Sequence, residues 1–386
     1  MRPLRSSAEI LRAVHCLWRE PEAREQYSTA ISLHSHTMHS RENFSFVPRI
    51  LACVSAGRML LKRLDAWHQR LYGKPIPFGR AFWRPPLNPQ AAYHLECGQI
   101  QNLLGLRSFV SITDHDSVEA CAELRAIGIE IPYSTEWSVP YHGTMFHIGV
   151  HNLPAEEARA FEATMAEVTA APTRERIAEL LAALHTTNDL LLVLNHPFSC
   201  EARVPQPTHD RLLVQFLEEF GAWLHALELN GLQPAQSNAA TIRLAAERGF
   251  PVISGGDRHC LEPNANLNLT NARSFAEFVN EIRADQRSTV LFMPQYRDPI
   301  PVRYIELMWH AAQNHPDFTG RSSWLDRVFL ERETGEVVSF RTLCPNGGPT
   351  AIRGLVSTIG FLASPGMRTM LAIAIGRDAG LEPERP

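Results

Sequence analysis

Residues 31–40, ISLHSHTMHS, constrain this chain more than any other stretch. A short apolar run containing Leu33 delivers His34 and His36, two positions apart. In a strand the side-chain period is two, so both imidazoles leave the same face. Two imidazoles side by side at a strand end can share one metal ion. An HxH pair equally fits an exposed strand edge, so the remaining sequence has to decide.

From residue 32 to about residue 293 short apolar runs alternate with helix-period segments. The strand-like runs are 31–33, 109–113, 129–133, 146–150, 190–194, 226–229, 252–254 and 290–292. Helical patterns occupy 90–104, 156–169, 173–185, 208–220, 236–248 and 275–284. Such alternation predicts an α/β fold with a parallel sheet, and at this length a barrel. Residues just past the strand C-termini would then form the active site. The pattern divides the chain into an N-terminal helical segment (1–30), a barrel (31–295) and a helical C-terminal extension (296–386). Residues 49–87 are poorly periodic and carry Trp67, Tyr72 and Trp83. They read as an insertion, either a lid over the cleft or a surface excursion. The extension would wrap the barrel or mediate dimerisation, so a homo-oligomer is left open.

With 45% hydrophobic residues, 20% charged residues and a net charge of -4, the chain has no broad basic field. Extended nucleic acid is therefore not an expected partner. Seven scattered cysteines form no CxxC pair, which suits a reducing, cytoplasmic compartment. The first 26 residues contain no signal-like apolar core and read as an amphipathic helix with Leu11, Val14 and Leu17 on one side. Residues 354–376 are apolar but contain Pro365 and Arg368, and predict two short packed helices with no membrane span.

Polar residues recur at or just after the inferred strand ends, with His147 inside its strand-like run. After His34 and His36 come Asp114, His115 and Asp116 in SITDHDS, Glu136 in IPYSTEWS, His147 in MFHIGVH, Asn195 and His196 in LNHP, and Asp257 and His259 in SGGDRH. Singly each reads as a polar turn or a strand terminator. Their recurrence on successive strands points to one convergent centre. Imidazole and carboxylate donors suit Mn, Zn or Fe.

In these motifs the chain resembles the polymerase and histidinol phosphatase (PHP) family of metal-dependent phosphoesterases. The matching residues are His34, His36, Thr37 and Ser40 as HxHTxxS, residues 113–116 as TDHD, Glu136, His147, residues 195–197 as NHP, and Gly256, Asp257 and His259 as GDxH. The resemblance implies a distorted (β/α)7 TIM-like barrel holding two or three divalent ions. His34, His36, Glu136 and Asp257 would hold the first. Glu136 would bridge to a second held by His147 and His196. A third would be held by His115, His259 and Glu42. Many relatives carry Asp directly after the motif serine, where this chain has Arg41, so Glu42 takes the ligand role.

The implied activity is hydrolysis of a phosphomonoester or phosphodiester of a small metabolite or nucleotide, by attack of a metal-bridging hydroxide. Three carboxylates among the ligands leave a filled site with about two surplus positive charges after one hydroxide, which suits a phosphate dianion. Metal ions lower the pKa of bound water and neutralise phosphoryl charge. Arg203 and Arg258 lie near enough in sequence to reach a phosphate. His39 and Asp116 are candidate proton carriers or orienting partners. Two alternatives stand beside this reading: hydrolysis of an amide or ester on the same barrel, and a metal-stabilised interaction module without catalysis.

Overall fold

A computed structural model describes residues 6–44, 48, 55–200, 204–316, 318 and 320–376. Its strands are β1 (Val14–Cys16), β2 (Thr29–Ser32), β3 (Glu42–Asn43), β4 (Ala81–Trp83), β5 (Arg107–Val110), β6 (Tyr133–Tyr141), β7 (Thr144–Leu153), β8 (Leu191–Asn195), β9 (Ala226–Asn230), β10 (Val252–Gly255), β11 (Asn266–Thr270), β12 (Thr289–Phe292), β13 (Val328–Glu331) and β14 (Val337–Ser339). They form three sheets, ordered β1-β12-β11-β2-β5, β10-β9-β8-β7-β6 and β14-β13-β4-β3. The fold is mixed α/β. The sheets are not purely parallel, because β11 runs antiparallel to β2 and β12, and β7 antiparallel to β6 and β8.

No sheet closes into a barrel among the described residues. Two isolated parallel bridges join the two large sheets, Ser35 with Arg258 and His115 with Glu136. Both lie where polar motifs follow or interrupt the strands.

Strand β8 shows how the sequence builds the layers. Leu191 and Val193 pack on Ile31, Leu33, Ala226 and Ile253 on one face. Leu192 and Leu194 join the larger cluster with Leu227, Leu229, Phe216 and Leu217 on the other. A strand covered on both faces reads as an unbroken apolar run, which LLLVLN does. The period of two then puts Asn195 on the face of Leu191 and Val193, and Glu228 and Asn230 on the face of Ala226. Helices cover the outer faces. The helix Pro89–Leu104 starts on an Asn88 cap that accepts from Ala91 N–H, and stops at Gly105, whose φ is 69°.

Several elements differ from expectation. The run 129–133 is not a strand; the strand begins at Tyr133 and continues through Glu136 to Tyr141. The N-terminal helix covers only Ser7–Leu11, because Val14 leaves it to pair with Val290 in β1. The insertion is not irregular: it contains the helix Ser55–Tyr72 and strand β4. Nor is the C-terminal extension purely helical, since β13 and β14 pair with β4 and with each other. Residues 354–376 do fall in two helices, Thr350–Leu362 and Pro365–Ile375, bent by 76°, and among the described residues no single helix is long and apolar enough to cross a membrane.

The small third sheet matters for the site. It joins the insertion (β4) and the extension (β13, β14) to β3, whose Glu42 pairs with Trp83.

Candidate metal centre

The two bridges gather the polar strand ends. His34 and His36 follow β2 and are 1% exposed. Their Nε2 atoms lie 3.1 Å apart. His34 Nδ1 is 2.7 Å from Glu228 Oε2, an atom that only accepts from a neutral or charged ring. His36 Nδ1 is 3.1 Å from Ser40 Oγ. That hydroxyl donates its one proton to Glu42 Oε1 at 2.7 Å and so accepts from His36. Both rings are thereby oriented with Nε2 toward the centre, the arrangement a carboxylate or hydroxyl partner imposes on metal-binding histidine.

Glu136, fully buried on β6, is the hub. Its Oε2 lies 3.1 Å from His34 Nε2, 3.4 Å from His36 Nε2 and 3.3 Å from His115 Nδ1. Its Oε1 lies 3.0 Å from His196 Nε2 and 3.4 Å from His147 Nδ1, and accepts from Asn195 Nδ2 at 2.9 Å. Asp257 Oδ1 is 3.4 Å from His36 Nε2. Glu42 Oε2 is 3.2 Å from His259 Nε2 and 3.5 Å from His115 Nε2. His259 Nδ1 donates to the Asp257 carbonyl at 2.9 Å, which turns its Nε2 toward Glu42.

Two ligand atoms each about 2.1 Å from one ion sit roughly 3.0–3.4 Å apart in tetrahedral or octahedral geometry. The spacings here match that edge length. Three overlapping groups can hold an ion: His34, His36 and Glu136; His115, Glu136 and His147; His36, Glu42 and His259. His115 Nδ1 is buried without a hydrogen bond. The donor set therefore fits divalent cations.

Electrostatics agree. Burial works against charge on His34, but Glu136, Glu228 and Asp257 raise its pKa well above the usual imidazole value. Burial opposes charge on Glu136 too, yet His34, His115 and His147 hold its pKa well below the carboxylate range. On His36 burial and the neighbouring His259 win, and the ring falls to about 4. Against burial, the carboxylates likewise raise the pKa of His115, and take His196 and His259 up to about 9, so carboxylates and imidazoles in the cluster stabilise one another's charge.

The backbone is strained at two of these positions. His196 and Asp257 take φ of 27° and 53°, the left-handed region that non-glycine residues avoid.

All nine sequence-selected ligands lie in this cluster. The helper residues fare differently. Arg258 is 2% exposed and faces inward. Its Nε donates to Glu96 at 2.8 Å and its Nη atoms to the Cys260 and Ala92 carbonyls, so it is a structural ion pair and is not presented to a phosphate. Arg203 lies outside the described residues. Asp116 Oδ1 accepts from Ser138 N–H at 2.8 Å, which occupies it in holding β6. His39 Nε2 lies 3.0 Å from Glu123 Oε1 at the rim.

Sequence reasoning missed Glu228 and Asn230. Asn230 donates to Glu228 Oε1 at 2.6 Å and to Asp257 Oδ2 at 3.1 Å. The signal was ALELN, in which two polar residues two apart interrupt an apolar strand. Trp83 was also missed as a neighbour of the centre; its ring centroid is 6.0 Å from that of His259.

No family model matches the chain, and no curated protein matches it. Among solved structures, the chain is similar to a protein of Bifidobacterium adolescentis provisionally assigned as a metal-dependent phosphoesterase, at 16% identity and a TM-score of 0.30, covering 66% of this chain and 94% of that one. It is also similar to an amidohydrolase of Chromobacterium violaceum, solved with bound sulfate and no metal, at 16% identity and a TM-score of 0.31, covering 46% of this chain and 84% of that one. Likeness at this level does not carry a function over to the chain.

Proposed function

We propose that this chain is a metal-dependent hydrolase of the PHP type that cleaves a phosphoester. The observation that carries the reading is the pair of inward-facing Nε2 atoms of His34 and His36, 3.1 Å apart and flanked by Glu136 and Asp257. With Nδ1 of each ring engaged, two neutral imidazoles would set lone pair against lone pair. A positive charge between them removes the repulsion. One proton can serve one such pair, whereas the imidazole nitrogens crowded on both oxygens of Glu136 suit divalent ions.

The roles follow from contacts. Glu136 offers one oxygen to the His34, His36 and His115 side and the other to the His147 and His196 side. Glu42 supplies the carboxylate for His115 and His259. Glu228, Ser40 and the Asp257 carbonyl fix the ring orientations. Divalent Mn, Zn or Fe held there would lower the pKa of water and neutralise charge on phosphoryl oxygens. The two isolated bridges support a seven-strand reading of the core, in which β2, β5, β6, β7, β8, β9 and β10 form a distorted ring around the cluster.

Elemental analysis of the purified chain should find roughly two to three equivalents of Mn, Zn or Fe. With Mn present, p-nitrophenyl phosphate or one of a panel of nucleotides and sugar phosphates should release phosphate, and an amide panel should not turn over. His196→Ala should reduce turnover to background while the thermal transition survives. Full activity in that variant, or a chain that takes up no metal, overturns the reading.

A further inference from the structure

Two guanidinium groups converge on the loop that carries His36. Arg84 follows β4 in the insertion, and Arg321 lies in the C-terminal extension. Arg321 Nη1 donates to the Met38 carbonyl at 2.9 Å, and Arg84 Nη1 reaches the same oxygen at 3.4 Å. One carbonyl is a poor match for two cations.

The carboxylates nearby are already engaged. Glu331 pairs with Arg41 at 2.9 Å. Glu123 lies 3.0 Å from His39. Asp114 accepts from Thr37 through both oxygens, the hydroxyl contact being 2.6 Å. Among the described residues neither Arg84 nor Arg321 has a carboxylate within ion-pair distance, and Arg84 Nε is buried with no acceptor at all. Burial, together with the nearby Arg321 and Arg41, lowers the Arg84 pKa against the opposing pull of Asp114. A buried guanidinium N–H left without an acceptor costs free energy unless something else supplies one.

The arrangement is built. Arg84 N–H bonds to the Arg327 carbonyl at 2.8 Å, and its guanidinium stands 5.7 Å from the Phe329 ring. Arg327 is 1% exposed and donates to the carbonyls of Arg321, Ser322, Ala311 and Gln313, which holds the segment presenting Arg321. The insertion and the extension, joined through the third sheet, each contribute one arginine.

We propose that Arg84 and Arg321 form an anion-binding subsite beside the metal centre, which takes a second acidic group of the substrate. This rests on the hydrolase reading for the word substrate, but the subsite itself does not. The ligand chemistry is a dianion, a phosphate or a carboxylate pair, displayed by a molecule whose scissile phosphoester reaches the cluster around Glu136. Paired guanidinium forks match such oxygens two at a time.

The test titrates the full-length chain with inorganic phosphate by calorimetry, before and after treatment with EDTA. The chelated wild-type chain should keep a phosphate site. Arg84→Met and Arg321→Met should each weaken it about tenfold, the loss of one charge-assisted contact. Metal content and the thermal transition, measured in each variant, report whether the fold is intact, and either variant alone suffices. Succinate titrated in parallel shows whether the subsite prefers carboxylates; binding of either dianion that depends on the arginines supports the proposal. In the Mn-loaded enzyme, a bisphosphorylated substrate should show a KM raised by either substitution with little change in kcat. A chelated wild-type chain that binds neither dianion, or arginine variants that bind as tightly as wild type, overturns the subsite whatever the turnover assays show. Phosphate binding that depends on the arginines in a chain without turnover leaves the subsite standing and removes only the hydrolase reading.

Discussion

Glu228 Oε2 lies 2.7 Å from His34 Nδ1, with both side chains almost wholly buried. The carboxylate sits outside the ligand set yet fixes which nitrogen of His34 faces the cluster. Glu228→Gln keeps the shape and removes the charge. Partners of this kind are worth roughly 10- to 100-fold in metal affinity. Competition with a fluorescent chelator should show that loss, with far-UV circular dichroism unchanged. Wild-type affinity in the variant would deny Glu228 this role.

Gly255 offers a second route to the same carboxylate. A Cβ at this position would stand 2.0 Å from Glu228 Cδ and 2.1 Å from Oε2. Gly255→Ala must therefore displace Glu228 or shift β10 against β9. We expect a stability loss of about 1–3 kcal/mol, the usual cost of overpacking, together with weakened metal binding. Denaturant melts with and without added metal separate the two effects.

Most of the ligands were legible because they lie in short motifs around strand ends, where a period of two and a following turn fix their direction; Glu136 and His147 instead sit inside β6 and β7. HTMHS, TDHD, NHP and GDRH need no knowledge of distant contacts. Glu228 was not legible, since a carboxylate inside ALELN acquires its role only from His34 on the neighbouring sheet. Strand β11 was missed because NLNLT reads as a polar loop. In the fold Asn266 and Asn268 are fully buried, and Asn268 Oδ1 accepts from Ser254 N–H at 2.8 Å. Strand β6 was misplaced because YSTEWSVPY carries three polar residues in a row and contains Pro140, tolerated near the hairpin end where it pairs with Met145. Arg258 was misread because sequence adjacency to Asp257 says nothing about facing; its partner, Glu96, lies 162 residues away.

Glu42 reaches the cluster from a different layer. It sits on β3, pairs with Trp83 and is 9% exposed, and the histidines around it hold its carboxyl well below the usual range against the effect of burial. Glu42→Gln should remove the carboxylate shared by His115 and His259 while leaving the groups around Glu136 intact. Elemental analysis should then show the loss of about one metal equivalent, since a site keeps its ion only with its deprotonated ligands. Unchanged stoichiometry would place the third ion elsewhere.

His151 tests the interior behind the centre. It is 2% exposed, and burial, reinforced by His34, pushes its pKa down to about 3. Its Nδ1 lies 2.8 Å from Ser111 Oγ. That hydroxyl gives its proton to Ser134 Oγ, so His151 donates as the neutral ring. An unfolded histidine titrates near 6.5, so the unfolded chain binds a proton that the folded chain refuses. Stability from this residue is therefore present above about pH 6.5 and drains away as pH falls toward the folded value. His151→Gln keeps a polar group and cannot titrate. Its stability should fall less steeply than that of wild type between about pH 6.5 and pH 4, and the difference between the two curves removes the contribution of every other titrating group. Parallel curves across that window would mean that the buried ring accepts a proton as readily as a free one.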